Sequence, residues 1–358
     1  MNDMKEIFKM YKGKRVLVTG HTGFKGSWLT FLLKEIGADV MGLGLSPATP
    51  VNHFDLLGLD NKIKHVVGDI SDPMIVSKMM NEFQPEFVFH LAAQALVRPS
   101  YVDPAKTYLI NVMGSVNVLD AVRNCQSVRS LVYITSDKCY ENVEWTWGYR
   151  ENDRLGGRDP YSASKAAAEI VFSSYLRSFF ESRSSLGAAS TRAGNVIGGG
   201  DWALDRIVPD CIRSIENNEP ILLRNPNATR PWQHVLEPIS GYLLLAARLY
   251  EDPKYWSGSW NFGPSTNEVH TVEEVTKIII SHLGKGSIKL IEPQSQIHEA
   301  NLLQLNCDKA NQQLGWHPRW NPALTFKATA IWYKNIMEGH DPIAVTRSQI
   351  YEFFPELL

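Results

Sequence analysis

Short apolar runs recur along the first half of the chain, separated by stretches in which apolar residues return every three or four positions. Runs at 16–19, 40–43, 64–67, 87–89 and 130–135 have the length of strands, and the segments 27–36, 72–82, 104–124 and 161–180 carry a helical period. This alternation predicts β-α-β units, and hence an α/β, doubly wound parallel sheet covered by helices on both faces. Ligands of such sheets sit at the carboxyl ends of the strands. Beyond Gly194 the rhythm loosens into loops rich in Gly, Pro, Asn and Trp (GNVIGGGDW, NPNATRPWQH), which predicts a smaller, mixed C-terminal domain that covers a substrate. The expected division is 1–192 for the first domain and mainly 193–358 for the second, with segments near 230–260 returning to the first.

One segment adds chemistry to this pattern. In VLVTGHTGFKG, residues 16–26, an apolar run ends at Thr19-Gly20, and Gly23 and Gly26 follow at three-residue steps before a helical pattern. A strand that passes through a glycine turn into a helix N-terminus builds an anion site from free backbone N–H groups and the helix dipole. A pyrophosphate is the natural ligand. Gly20 makes the turn, Gly23 lets the backbone approach the phosphates, and Gly26 lets helix and strand pack closely.

Composition narrows the class. The 358 residues carry 36 basic and 38 acidic side chains, with no basic stripe or acidic tail to recruit nucleic acid or a membrane surface. The first fifteen residues lack the apolar core of a signal peptide, and the most apolar later run, 242–247, is far shorter than the ~20 residues of a membrane span. A cytoplasmic protein is expected. Cys125, Cys139, Cys211 and Cys307 lie far apart without a C-x-x-C, so neither a disulfide framework nor a metal site is indicated.

Polar groups stand at the expected strand ends: Gly68-Asp69-Ile70 after the third, HLAAQ (90–94) after the fourth and Thr135-Ser136-Asp137-Lys138 after the fifth. Tyr161 and Lys165 follow, four residues apart on one face of a helix. A phenol of ordinary pKa ~10 needs nearby positive charge to serve as a base at neutral pH. Lys165 and a cationic nicotinamide ring both supply it, and Lys165 can also hold the cofactor ribose.

These motifs resemble those of the extended short-chain dehydrogenase/reductases: TGHTGFKG is similar to the family's T-G-x-x-G-x-x-G, GDI to its adenine-contacting strand end, HLAAQ to its fourth-strand motif and YSASK to its Y-x-x-x-K. The likeness runs over essentially the whole length. It is closest to the nucleotide-sugar 4,6-dehydratases, and HTGFKGSW, ITSDKCYEN and RPWQHVLEP narrow it to members acting on CDP-glucose. The resemblance implies a Rossmann-type domain that binds NAD through Gly20, Thr22, Gly23, Phe24, Gly26, Asp69, Ile70, Leu91, Ala92, Ala93, Asn111, Tyr161 and Lys165. It also implies a nucleotide-sugar substrate contacted by Asn195, Arg206, Arg230 and Asn267, a homodimer or homotetramer, and a place in deoxysugar biosynthesis. Asn111 has a second reading, as a side chain satisfying a helix kink. Trp202 and Trp232 either stack on a base or pack the lobe, with packing favoured for at least one.

Ser136, Asp137 and Lys138 set the expected reaction. Sugar dehydratases generally place a hydroxyl residue, an acid and a glutamate here, so Asp137 is the candidate acid, while lysine replaces the glutamate base. Lys138 either acts neutral as the base, or stays cationic and stabilises an enolate while another group takes the proton. Lys138, when charged, opposes the raised pKa that Asp137 needs. The acid that usually ends the second strand on the cofactor ribose is missing from Gly44-Leu45-Ser46, and no arginine stands there for a 2′-phosphate, which favours NAD over NADP. An NAD-dependent nucleotide-sugar epimerase of the same fold, a 4,6-dehydratase acting on dTDP-glucose or GDP-mannose, and a non-catalytic NAD-binding scaffold are the competing readings. The epimerase has no need of Asp137, and the scaffold none of a tuned Tyr161.

Overall fold

A computed structural model describes residues 4–264, 269–292 and 302–358. Its centre is a parallel sheet of seven strands. β1 (Arg15–Thr19), β2 (Asp39–Gly44), β3 (Lys64–Val67), β4 (Phe87–His90), β5 (Ser130–Ile134), β6 (Gly187–Ala193) and a last strand, Gly258–Phe262, lie in the order β3-β2-β1-β4-β5-β6-last. Alternate residues of each strand enter opposite faces of the sheet. Val16, Val18, Phe87, Phe89 and Val132 pack into one core, while Leu17, Val88, Leu131 and Tyr133 pack into the other. Both faces are therefore dry, as the near-continuous apolar runs require. The chain reverses its direction of winding between β1 and β4, and that crevice is where Gly20 lies.

The segment beyond 192 contributes to both regions. Gly258–Phe262 pairs with β6, and the helix Leu236–Glu251 packs on β5 and β6. The remaining part builds short pairs: Val196–Ile197 with Gln233–His234, Thr229–Arg230 with His270–Thr271, and Ile221–Leu223 with Ile288–Leu290. Among the described residues no helix is long and apolar enough to cross a membrane, and the four cysteines are buried and unpaired.

Two predicted helices are interrupted. The stretch expected as one helix at 104–124 is Pro104–Tyr108, a π-helical turn Leu109–Gly114 and Ser115–Asn124, and the stretch at 161–180 is Pro160–Tyr175 followed by a π-helical turn Leu176–Phe180. An additional helix, α1 (Met4–Tyr11), lies outside the predicted set. It buries Met4, Ile7, Phe8 and Tyr11, and the Tyr11 hydroxyl donates to Leu243 O at 2.7 Å.

The helix Pro160–Tyr175 is fastened by a buried ion pair. Arg192, at the end of β6, uses all five of its N–H donors: Nε and one Nη2 hydrogen to Glu169 at 3.0 and 2.8 Å, the other to Ser259 at 3.1 Å, and Nη1 to Tyr140 and the Glu151 carbonyl at 2.7 and 2.9 Å. Glu169 also accepts from Thr135 and Ser190, and these partners hold its pKa below the ordinary value despite burial. Arg192→Met strands the Glu169 carboxylate without its cation, a loss of about 3–5 kcal/mol. The expected result is a large drop in the urea midpoint, partly recovered by adding Glu169→Gln. A double variant no more stable than Arg192→Met would show that the stranded charge is not the cause.

Candidate active site

The site begins where β1 ends. Gly20 adopts φ +74°, and a Cβ there would lie 2.7 Å from the Ala92 nitrogen in the loop after β4. A Cβ on Gly26 would meet the Gly20 carbonyl at 2.1 Å, so helix and turn touch backbone to backbone. The helix α2 (Phe24–Glu35) starts from Gly23, which supplies no side-chain cap, and its first N–H groups are left for a ligand. Thr22 is held by its hydroxyl on Leu45 O at 2.8 Å, and Phe24 lies beside Gly198. Leu91 and Ala92 are tied to Thr19 through their N–H groups, next to Ala93. Asp69 accepts from Ser71 N at 2.8 Å, leaving its other oxygen for a ligand, and Ile70 is buried against Gly114.

Asn111 is satisfied by the protein. Its Oδ1 accepts from Gln94 N at 2.8 Å, and its Nδ2 donates to Gln94 O and to Ser164 Oγ at 3.0 and 2.8 Å. It clamps the β4 loop to the Tyr161 helix from within the π-helical turn. His21 occupies the end of β2, where the ribose acid is missing. Its ring lies over Gly42, whose Cβ would come within 2.3 Å of it, and its Nε2 meets His65 Nδ1 at 2.7 Å. Burial pushes its pKa down to about 4. Nothing in the sequence reading pointed to this residue.

Ser136, Asp137 and Lys138 form a short helical turn at the end of β5, fixed by Ser136, whose hydroxyl accepts from Lys138 N at 3.3 Å and donates to Asp137 Oδ1 at 2.9 Å. Asp137 is buried because residue 194 is glycine: a Cβ there would lie 2.7 Å from Asp137 Oδ2. Burial raises the Asp137 pKa, and Lys138, Ser136, Lys25 and Arg230 oppose it with smaller effect. Of the two opposing effects, burial outweighs Lys138 in direction.

Tyr161 and Lys165 are both buried, with Lys165 Nζ 6.0 Å from the centre of the phenol ring. Burial, rather than Lys165, dominates the phenol's pKa. Burial drives Tyr161 up to about 12, against the pull of neighbouring Ser136 and Arg206, and drives Lys165 down to about 8. The Tyr161 shift is set by burial, with Lys165 not among the groups that act on it most strongly.

Arg206 and Arg230 both reach this cluster. Arg206 is ion-paired with Asp201 at 2.9 Å and acts electrostatically on Tyr161; Arg230 acts on Asp137 and donates to Thr229 O at 2.7 Å. Asn195 follows β6 and its carbonyl accepts from Gln233 N at 3.2 Å, while Asn267 lies outside the described residues. Trp202 packs edge-on against Trp332 and Tyr333, and Trp232 is buried with its Nε1 directed at His270 O, so both pack the lobe. Lys25, unnoticed between Phe24 and Gly26, sends its ammonium into the same cluster. Among the described residues no group of three His, Cys, Asp or Glu is placed to hold a metal ion.

A tyrosine-lysine pair on a helix beside a glycine-turn anion site, with an acid at the end of the strand β5 that precedes the helix, is matched across the chain by a family model described as GDP-mannose 4,6 dehydratase, over residues 17–327. The chain belongs to that family. CDP-glucose 4,6-dehydratase of Salmonella typhimurium is 47% identical over 347 residues, which span 96% of this chain and 97% of that protein. Of the solved structures, UDP-glucose 4-epimerase of Thermus thermophilus in complex with NAD matches with a TM-score of 0.77 at 26% identity, covering 89% of this chain and 99% of its own. dTDP-glucose 4,6-dehydratase of Streptomyces venezuelae, with a TM-score of 0.77 at 23% identity over 92% and 99% of the two chains, shares the fold.

The lowered pKa of Lys165 carries a stability cost of definite sign. Holding it as a cation is unfavourable below pH 8, and the cost fades as pH rises from about 8 toward the ordinary lysine value of 10.5. Ligand-free Lys165→Met is therefore expected to be more stable than the native protein at pH 7, by about 1–3 kcal/mol, with the difference shrinking toward pH 10. Denaturant titrations at both pH values measure this, and a variant less stable at pH 7 contradicts it.

Proposed function

We propose that this protein removes water from a nucleoside diphosphate hexose, CDP-glucose, to give CDP-4-keto-6-deoxyglucose, with NAD as cofactor. The observation that carries this reading is Asp137: a buried carboxyl held toward its protonated form beside Tyr161. An epimerase needs Tyr161 and Lys165 but no such acid. The 47% identity to the Salmonella enzyme supports CDP-glucose as the substrate. Residues 1–192 are read as holding the cofactor, and 193–358 as mainly holding the nucleotide sugar.

The residues fit NAD. The uncapped start of α2, the glycine contacts at Gly20 and Gly26 and the free Asp69 oxygen suit its pyrophosphate and adenosine, and the neutral His21 at the end of β2 offers no cation to a 2′-phosphate. NAD, held by the α2 start and Lys165, would supply a hydride acceptor and donor for C4 and C6 of the sugar and so would be needed only in catalytic amounts. Tyr161 takes the 4-hydroxyl proton, its phenolate favoured by positive charge brought beside it, and Lys165 holds the ribose. The 4-ketone acidifies the C5 proton. Lys138 either takes that proton as a neutral amine or stabilises the enolate as a cation, while Asp137, hydrogen-bonded to Ser136, protonates the departing 6-hydroxyl. Arg206, Arg230, Asn195 and Asn267 are assigned to the diphosphate and nucleoside.

The test is incubation with CDP-glucose, dTDP-glucose and GDP-mannose, with loss of water followed by mass spectrometry. Water loss from CDP-glucose is expected, and should fall about 10²–10⁴-fold in Tyr161→Phe. Asp137→Asn should slow elimination while still exchanging solvent deuterium into C5, and Lys138→Met should slow that exchange more than Asp137→Asn does. A Lys138→Met enzyme that dehydrates at the native rate would leave the lysine without a catalytic part.

The same reading includes a homodimer or homotetramer acting in the cytoplasm. Val102, Tyr108, Leu109, Met113, Ile170 and Phe179 are exposed on the helices and turns around Pro104–Tyr108 and Pro160–Tyr175. A second copy of the same paired helices would bury them as a bundle. Light scattering at micromolar concentration should give a dimer or larger; a monomer mass contradicts the assembly.

A further inference from the structure

The loop 198–206 begins with three glycines and ends at Arg206, where the helix Ile207–Glu216 starts. Its first half is fixed from within the lobe. Tyr333 accepts from Asp201 N at 3.0 Å and donates to Asp201 O at 2.5 Å, Asp201 Oδ1 accepts from Ala203 N at 3.0 Å, and Arg213 Nη1 donates to Trp202 O at 2.8 Å. The tip lacks such packing. Leu204 is 63% exposed, and Asp205 takes φ +60°, a left-handed conformation that a non-glycine residue adopts at a cost. Gln84 and Asn218 share that conformation but follow helix ends, where it is a common terminator, whereas Asp205 precedes a helix.

Asp205 is held by charge. Its Oδ1 is shared by Arg98 Nε at 3.3 Å and Arg224 Nη2 at 3.1 Å. Arg98 belongs to the short helix Val97–Val102 on the cofactor side, which packs against the Tyr161 helix. Arg224 follows the strand Ile221–Leu223 and leads, through a turn closed by Ala228 N on Asn225 O at 3.3 Å, into Thr229–Arg230. One carboxylate thus joins three segments, two of which end in the arginines assigned to the diphosphate. Ion pairs this open to water contribute little to stability, so a left-handed residue kept for two of them points to orientation instead. The three segments carry the guanidinium groups of Arg98, Arg206, Arg224 and Arg230 against the carboxylates of Asp201 and Asp205, an excess of two positive charges that complements a diphosphate.

We propose that Asp205 is a positioning residue for the substrate: its carboxylate, shared by Arg98 and Arg224, sets the loop 198–206 and the turn 224–229 against the cofactor side, so that Arg206 and Arg230 meet the diphosphate of the nucleotide sugar together. This rests on the nucleotide-sugar reading. Asp205 itself repels phosphate and makes no contact with it. Its effect passes through the two arginines, which lose less orientational freedom on binding when their segments are already fixed.

The experiment combines calorimetric titration of the NAD-loaded protein with CDP, which carries the diphosphate without the sugar, and the KM and kcat of CDP-glucose dehydration. Asp205→Asn removes the charge but keeps a side chain that tolerates the left-handed backbone. It should bind CDP about three- to tenfold more weakly and raise KM by a similar factor, with kcat within about twofold of native. Asp205→Gly relieves the backbone and likewise lacks the charge, so it should match Asp205→Asn. Adding Arg98→Met to Asp205→Asn should cost less than about a further twofold, because the pair is already broken. A double variant that loses the product of the two single effects places Arg98 on the substrate directly and overturns the proposal. Native CDP affinity in Asp205→Asn or Asp205→Gly, or a fall in kcat with KM unchanged, overturns it as well. Native protein that binds no CDP overturns the nucleotide-sugar reading itself. If the Asp205 variants do not fold by circular dichroism, Arg98→Met and Arg224→Met decide: each should weaken CDP binding about twofold or more, and native affinity in both contradicts the proposal.

Discussion

The Tyr161 phenol is aimed by an ion pair that it never touches. Glu169 lies two helical turns beyond Tyr161, and its carboxylate is gripped by Arg192 from the end of β6, with Thr135 and Ser190 on its remaining lone pairs. Through Arg192 the same helix is joined to Tyr140, Ser259 and the Glu151 carbonyl, which belong to the loop after β5, the last strand and the segment before the helix. A surface salt bridge would leave the helix free to roll, because water competes for both partners. Buried and fully hydrogen-bonded, the pair has one geometry. Tyr161, Lys165 and the β5 turn therefore keep their relation before any ligand arrives.

Against that rigid frame the titrating groups share one trend. Burial raises Asp137 and Tyr161 and lowers Lys25 and Lys165, so each is moved toward its uncharged form. Such displacement is costly for stability and is found where chemistry requires it. A nucleotide sugar and a dinucleotide bring four phosphate groups between them, and their negative charge is what buried lysines pushed toward neutrality and the arginines beside them lack. The site is thus poised for ligands rather than for solvent.

Much of this was legible in the chain. Short near-continuous apolar runs marked the strands because both faces of the sheet are buried, and Gly20 and Gly26 stood out because backbone atoms approach them too closely for any side chain. The strand-end acid and the Tyr161–Lys165 pair followed from spacing. The helix Met4–Tyr11 was not read, although Met4, Ile7, Phe8 and Tyr11 carry its period, because eight residues give a short signal. The π-helical turns at 109–114 and 176–180 lie inside stretches read as single helices, and neither contains a proline that would have marked an interruption. The sign of the Tyr161 shift depended on burial, which spacing does not report.

His21 gives the end of β2 an order of mutational events. Gly42 lies under its ring, Gly44 is tight against it, and His65 shares its proton. A carboxylate installed at position 42 while His21 remains collides with the imidazole, and replacement of His21 alone leaves His65 without its partner above two bare glycines. Each change is harmful until the others are made. Sequences drifting from this chain can thus rebuild the ribose-binding edge only through coordinated substitutions, which makes His21, Gly42, Gly44 and His65 an epistatic unit that should be exchanged as a block when the cofactor pocket is redesigned.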